Sequence, residues 1–222
     1  MEAQHACPAC GEPLYGWVTI TRPGGRDRLL RRCERCGLGV AADLAREEIP
    51  DALLEGSREL DGGRVELRLP NRRSLQARLG ARQWAALEPE RRLFPTPEAL
   101  PGLAELAGAR VEAIDSPQSR RAQAWMWQTL VNAFTLGQNV ARDLRSRRLR
   151  AGGARARIRL VLDLLVTALA AVPLAVISAP LEWAAALGGG GGELVAKVAL
   201  PSGPRPVEPP APEARSRSAR PA

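Results

Sequence analysis

Histidine and lysine are nearly absent from this chain of 222 residues, which contains only His5 and Lys197. A single histidine excludes a histidine-rich metal site, and we do not expect a catalytic triad built on His5. Arginine therefore carries almost all of the positive charge, and so strong a bias reflects GC-rich coding as much as function. Aromatic residues make up only 4% of the chain. Aromatics alternating with arginine on a sheet, the pattern that stacks on nucleic-acid bases, are missing.

An apolar stretch typical of a secretory signal is also missing from residues 1–6. We therefore expect the chain to start in the cytosol, where disulfide bonds are rare. The four cysteines are predicted to have another use.

The chain does contain enough apolar residues for a core, together with positive charge that is unevenly placed. Apolar residues make up 45% and charged residues 25%, as expected for one ordinary domain or two small ones. The formal net charge is +8, but ten arginines and one acid between residues 120 and 159 give that segment +9 and leave −1 for the rest. This local charge predicts a surface that meets an anion, either phospholipid or nucleic acid.

Two C-x-x-C-G motifs form the most specific pattern, and they contain Cys7, Cys10, Cys33 and Cys36. Each spacing lets two thiolates on one tight turn point at the same ion, and the glycine permits the positive φ that the turn needs. A strand-like run at 15–21 and a turn lie between the motifs, so the pattern predicts a zinc ribbon with structural Zn²⁺. The alternatives are two unrelated reduced pairs or a redox C-x-x-C motif.

Hydrophobic periodicity and turn residues predict the elements that follow the ribbon. The predicted helices cover 43–60, 74–86, 96–108 and 116–150, and the predicted strands cover 64–69, 109–114 and 193–199. In the second helix the candidate apolar contacts are Leu75, Leu79 and Trp84. In the fourth helix one face carries Trp127, Leu130, Val131 and Phe134.

The middle of the chain resembles a known family in its residues 61–71 (DGGRVELRLPN), 74–79, Trp84, Pro89, Thr96-Pro97 and 106–111. These motifs look like the C-terminal half of class I S-adenosylmethionine-dependent methyltransferases, in the bacterial subgroup with an N-terminal cysteine knuckle. The resemblance implies that the GGR turn leads into the family's fifth strand and that its sixth strand follows residue 108. It also implies that the strand at 193–199 inserts between those two, antiparallel to them.

The same family binds its cofactor with a half of the sheet for which this chain has no room. About 20 residues separate Cys36 from the GGR turn, whereas a β-α-β unit alone needs roughly 30. Gly37-Leu-Gly39 belongs to the ribbon, and the glycines at 188–192 have no acid placed after them. The cofactor half is thus predicted to be deleted, so that S-adenosylmethionine binding is doubtful and no catalytic or cofactor-binding residue is assigned.

A hydrophobic segment at 158–187 includes 18 uncharged residues, 164–181, which would form about 27 Å of helix. Because Pro173 interrupts it and the strand at 193–199 must return to its sheet, we predict two half-helices, 158–172 and 174–187. This hydrophobic helical hairpin would be re-entrant or lie at the membrane interface. The predicted membrane contacts are Trp125, Trp127, Arg145, Arg147, Arg148, Arg150, Arg155, Arg157 and Arg159. A buried helical pair is the alternative.

Together these features predict an α/β protein: a zinc ribbon, a truncated Rossmann-like methyltransferase remnant with a three-strand mixed sheet, and a C-terminal hydrophobic helical hairpin. The predicted regions are 1–42 (ribbon), 43–119 (remnant), 120–157 (basic amphipathic helix), 158–187 (hairpin), 188–200 (glycine linker and returning strand) and 201–222 (disordered tail).

The corresponding functional hypothesis is a zinc-binding, membrane-associated protein that is non-catalytic alone and acts as a scaffold or accessory subunit. Its expected partners are the anionic inner face of the cell membrane, on the cytoplasmic side, and a complete methyltransferase or another protein. One alternative is an active methyltransferase whose pocket is completed by a partner or by dimerisation. The other is a nucleic-acid-binding zinc-ribbon protein.

Overall fold

The computed structural model describes residues 6–20, 27–145 and 153–201. It is a mixed α/β structure with two four-stranded antiparallel sheets, a cysteine cluster near the N-terminus and one long apolar helix. The tail from residue 202 onward, predicted to be disordered, lies outside the described residues.

The first sheet contains the predicted hairpin and two further strands. Its strands are β1 (Leu14–Ile20), β2 (Arg28–Cys33), β3 (Gly39–Ala41) and β6 (Leu93–Phe94), in the order β1-β2-β3-β6. Strand β6 comes from the middle of the chain and pairs with β3 through Phe94 opposite Gly39 and Leu93 opposite Val40. The ribbon therefore shares its sheet with a segment more than 50 residues further along the chain.

The second sheet holds the strands predicted from the middle and the end of the chain. Its strands are β4 (Arg58–Leu60), β5 (Arg64–Pro70), β7 (Arg110–Asp115) and β8 (Glu193–Ala199), in the order β4-β5-β8-β7. The prediction that β8 inserts between β5 and β7, antiparallel to both, is confirmed. The three-strand mixed sheet was wrong, because the sheet has four strands and every neighbouring pair is antiparallel.

The additional strand β4 lies inside a segment predicted to be helical. Gly62 and Gly63 both have positive φ, 75° and 70°, and reverse the chain so that Arg58–Leu60 pairs with the start of β5. A 3-10 turn at Arg46–Glu48 and a short helix, α1 (Ile49–Leu54), form in the rest of the segment. The hairpin prevails because its turn supplies the glycines that left-handed backbone requires.

The other helices are α2 (Leu75–Gly80), α3 (Leu100–Leu106), α4 (Arg120–Asn132), α5 (Val140–Arg145) and α6 (Gly153–Leu187). Serine caps two of them, since the Oγ of Ser74 accepts the N–H of Ala77 and that of Ser119 accepts the N–H of Ala122. Helix α2 is shorter than predicted and continues as a 3-10 turn at Ala81–Gln83. Of its predicted apolar contacts, Trp84 is fully buried and Leu75 is half-buried, whereas Leu79 is exposed.

The helix predicted over 116–150 is interrupted after Asn132. The Asn132 carboxamide accepts the N–H of Asn139 at 2.9 Å and donates to the carbonyl oxygen of Gln83 at 2.8 Å. These bonds hold residues 133–139 as a loop, and Asn139 has a positive φ of 59°. Of the predicted apolar face, Val131 is buried and Trp127 and Leu130 are half-buried, but Phe134 lies on the loop and is exposed.

The predicted hydrophobic hairpin is instead one continuous helix. Helix α6 runs through both Pro173 and Pro180 without ending. A proline removes one helical hydrogen bond and commonly bends a helix. Here bonds at Asp163 and Ala171 hold α6 before Pro173 and a bond from Gln76 to Glu182 holds it afterwards, so the loss of one bond does not end the helix.

Two apolar cores lie against the sheets. The first contains Cys7, Cys33 and Cys36 together with the inward side chains of β5 and β8 and most of the apolar side chains of α3. The second lies beside the ribbon hairpin and contains Trp84, Phe94 and Trp125. In β5, Val65, Leu67 and Leu69 are buried in alternation with Arg64, Glu66 and Arg68, which confirms the period-two pattern.

Candidate metal centre and the long apolar helix

Two backbone turns bring the four cysteines together. In the first turn the N–H of Gly11 donates to the carbonyl oxygen of Cys7, and in the second the N–H of Gly37 donates to that of Cys33. Both glycines have positive φ, 79° and 76°, as the motif predicted. The turns lie side by side because β1 and β2 pair between them.

The four sulfur atoms form a compact cluster. The Sγ atoms of Cys7 and Cys36 are 3.5 Å apart, as are those of Cys10 and Cys33, and all four lie within 4.8 Å of one another. A tetrahedral ion with sulfur ligands at 2.3 Å places its ligands about 3.8 Å apart. The predicted cysteine cluster is therefore confirmed as a site that could hold a metal ion such as zinc.

Burial and hydrogen bonding act on the thiols in opposite directions. Burial raises the pKa of Cys36 to about 11, and burial also raises the pKa of Cys7. Burial opposes ionisation of Cys33 as well, but backbone N–H groups of Cys36 and Arg35 and the thiol of Cys10 outweigh it and lower the pKa of Cys33. Two of the ligands would therefore release protons when a metal binds, and metal affinity should fall as the pH falls.

Residues outside the ribbon support the second turn. The Thr96 hydroxyl donates to the carbonyl oxygen of Cys36 at 2.5 Å, and Arg72 donates to that of Gly37 at 3.0 Å. The Arg72 guanidinium also stacks over the Trp17 ring, 4.4 Å from its centroid. Sequence reasoning missed these supports, because nothing in a short motif shows which distant side chain reaches a carbonyl group.

Helix α3 presses against the first turn. A Cβ atom added to Gly102 would lie 2.1 Å from the carbonyl oxygen of Ala9, between the first two cysteines. The approach of these two backbones therefore requires glycine. Together with the bonds from Thr96 and Arg72, this contact holds the cysteine cluster against the segment after β5 and against α3.

Helix α6 has the reverse of the usual division between polar and apolar faces. Its buried residues are Asp163, Thr167, Ser178 and Glu182. At about 100° per residue these four fall within an arc of about 100°. The exposed large apolar side chains lie on the other side of the helix, and the centre of this group is about 160° around the helix axis from the centre of the buried group. They include Leu165, Leu169, Val172, Val176 and Leu187.

The two buried acids of α6 bind neighbouring segments of the protein. The Asp163 carboxylate accepts the N–H groups of Leu136 and Gly137, at 2.7 and 2.9 Å. The Glu182 carboxylate accepts the N–H of Gly192 at 2.7 Å and a bond from Gln76 at 3.2 Å. Burial raises the pKa of Glu182, although these two bonds oppose the rise. The i, i+4 spacing of 163 with 167 and of 178 with 182 was a signal in the sequence that could have identified this face.

Of the residues predicted to contact a membrane, those whose side chains the structure describes do not all lie on one exposed surface. Trp125 is 7% exposed in the second core, below the guanidinium of Arg121, and its burial counts against the predicted contact. Trp127 is half-buried, and its indole N–H donates to the carbonyl oxygen of Ala171 in α6.

The predicted arginines of the membrane surface divide into two groups. Arg155, Arg157 and Arg159 are exposed on the first turns of α6. Arg145 ends α5, and its side chain lies outside the described part of the chain, as do Arg147, Arg148 and Arg150. The basic amphipathic helix predicted over 120–157 is thus replaced by α4, α5 and the start of α6.

By length and composition, α6 could cross a membrane, and only 11% of its most apolar 18-residue window is buried. One such helix is weak evidence of a membrane protein. Fold and site therefore define a mixed α/β protein with a four-cysteine centre and an exposed apolar helix. Comparisons of the chain with protein-family models, with curated proteins and with solved structures find no match.

Proposed function

We propose that this protein binds zinc through its four cysteines, attaches to the cytosolic face of a membrane through α6, and acts there as a scaffold or accessory subunit. The observation that carries the proposal is the orientation of α6, whose polar residues face the protein and whose apolar residues face outward. In water this arrangement leaves large side chains unburied, whereas hydrocarbon would favour it.

The donor set supports zinc as the ion. The four sulfur atoms lie within 4.8 Å of one another, as a tetrahedral site requires. Thiolates are soft ligands, and Zn²⁺ is the ion that most often occupies a site of four thiolates in proteins. Because all four ligands come from the protein, the metal would be structural and would leave no position open for a substrate.

Membrane attachment is tested with a double substitution on the outward face of α6, Leu169→Asp with Val176→Asp. We expect its affinity for vesicles of phosphatidylcholine and phosphatidylglycerol to fall roughly 100-fold, since each lost side chain forfeits about 1.5 kcal/mol of burial. Co-sedimentation of the zinc-loaded protein with vesicles measures the change. Leu29→Asp, which replaces an exposed leucine of the ribbon sheet, is the control and should bind like the unaltered protein. Equal binding by all three proteins would contradict the proposal.

The relation to methyltransferases remains part of the proposal. The position of β8 between β5 and β7, antiparallel to both, supports it, because the resemblance implied this strand order. We infer that the partner of the scaffold is a complete methyltransferase and that this chain alone lacks the half that binds the cofactor.

Equilibrium dialysis against labelled S-adenosylmethionine distinguishes the scaffold from an enzyme. We expect no binding to the zinc-loaded protein at millimolar cofactor, because among the described residues no glycine-rich turn lies between a strand and a helix with an acid downstream. Micromolar binding would instead favour the alternative, a methyltransferase whose pocket is completed by a second chain.

A further inference from the structure

Helix α6 is attached to the rest of the protein along most of its length. The attachment points are the bonds of Asp163 to the loop after α4, of Ala171 to Trp127, and of Glu182 to Gln76. The first and last points are 19 residues apart, which corresponds to about 28 Å of helix. Helix α4 and the loop after it run antiparallel to α6, with Trp127 beside Ala171 and Leu136 beside Asp163.

This attachment is incompatible with a helix that crosses a bilayer. The hydrocarbon core is about 30 Å thick, so nearly the whole attached length would have to lie inside it. Helix α4 and the residues behind it would then enter the hydrocarbon as well. They include the half-buried, charged Arg142, which pairs with Glu88 at 2.9 Å, and the half-exposed Arg121. The desolvation of such groups opposes insertion.

We propose that α6 lies parallel to the membrane surface, with one side on the protein and the opposite side in the outer part of the hydrocarbon. This inference rests on the proposed membrane attachment and adds its geometry. Leu165, Leu169, Val172 and Val176 contact acyl chains, and Arg155, Arg157 and Arg159 contact the phosphate groups of anionic lipids.

Charge favours an anionic lipid surface over a second copy of the chain. Helix α6 has only two acids, Asp163 and Glu182, and both are buried against the protein. The same helix of a second copy would therefore offer its three exposed arginines no carboxylate. Lipid phosphates supply negative charge along the whole length of the helix, and each arginine near such a surface strengthens binding by about fivefold.

Depth measurements test the orientation. Single cysteines replace Leu162, Leu169, Val176 and Leu187, four exposed residues that lie within about 40° of one another around the helix. The zinc-loaded proteins are labelled with a fluorophore and bound to vesicles whose lipids carry quenchers at the headgroup, near the top of the acyl chain or near its end. We expect all four labels to be quenched most strongly by the shallow acyl quencher, because a helix lying in the interface is buried by about 5–10 Å. A label at Leu29→Cys on the ribbon should escape quenching.

Three other patterns would overturn the inference. Deep quenching at 169 and 176, with 162 and 187 shallow on opposite sides of the vesicle, would indicate a crossing helix. Vesicle binding without quenching at any of the four positions would indicate that another surface binds, and this result would leave membrane attachment itself intact. Shielding of the labels in a protein dimer without vesicles would assign the face to a second copy.

The arginines provide a second readout of the same geometry. Replacement of Arg155, Arg157 and Arg159 by glutamine should weaken binding to vesicles with phosphatidylglycerol about 100-fold and leave binding to pure phosphatidylcholine unchanged. An equal effect on both kinds of vesicle would contradict the assigned phosphate contacts.

Discussion

Cys36→Ser should abolish stoichiometric zinc binding and lower the melting temperature by more than about 10 °C. The substitution removes one of four ligands from a centre in which Cys7, Cys33 and Cys36 are each at most 8% exposed. Structural zinc sites bind with about 10–16 kcal/mol in isolated peptides, and in proteins of this size about 1 kcal/mol corresponds to 2–4 °C. The loss should extend beyond the ribbon, because these cysteines share a core with β5, β8 and α3.

Elemental analysis and thermal unfolding followed by circular dichroism measure the two effects. Glu34→Ser is the control, since Glu34 lies in the same turn with an exposed side chain that offers no thiolate and pairs with Arg32 at the surface. A chelator should reproduce the effect of Cys36→Ser in the unaltered protein, and more readily at pH 6 than at pH 8, because the raised pKa values of Cys7 and Cys36 favour the thiols at low pH. A Cys36→Ser protein that holds one equivalent of zinc and melts normally would refute the metal centre.

Gly102→Ala should destabilise the protein by about 2–3 kcal/mol, although alanine is the better helix former by about 1 kcal/mol. The added Cβ would lie 2.1 Å from the carbonyl oxygen of Ala9, so either α3 or the first cysteine turn must move. Because Ala9 lies between Cys7 and Cys10, zinc affinity should fall together with stability. This joint change distinguishes displacement of the turn from a defect confined to α3.

Denaturant titration and competition with a zinc indicator measure stability and affinity. Gly16→Ala is the matched control, because a Cβ at this position of β1 meets no atom within 4 Å. It should change neither quantity by much. A Gly102→Ala protein more stable than the unaltered one would mean that helix propensity prevails and that α3 does not press on the turn.

Much of the local structure could be predicted because it depends on residues close together in sequence. The C-x-x-C-G motifs carry both the ligands and the glycines of their turns, so the cysteine cluster follows from spacing. Alternation in β5 assigned its buried face. The insertion of β8 between β5 and β7 was predicted from a resemblance, since no local pattern in the strand itself specifies its neighbours.

The errors occurred where distant contacts prevail over local tendencies. Pro173 suggested a turn, but the bonds that hold α6 on either side of it keep the helix continuous. Helix propensity continued past Asn132, but the side chain of Asn132 binds the chain at Asn139 and Gln83 and stabilises a loop. The GGR turn was recognised as the start of β5, but the sequence analysis did not predict that residues 58–60 before it would form a strand and pair with β5.

The sequence by itself therefore determined a four-cysteine centre, three of the strands of the second sheet and one long apolar segment, since ligand spacing, alternation and composition are local properties. Only the tertiary structure decided which side of that segment faces the protein. In the sequence, Asp163 and Glu182 are the charged residues at the two ends of an apolar run. In the folded chain they are buried acceptors for the backbone N–H groups of Leu136, Gly137 and Gly192. Because buried carboxylates need such donors, the polar side of α6 turns inward and its apolar side is left outside.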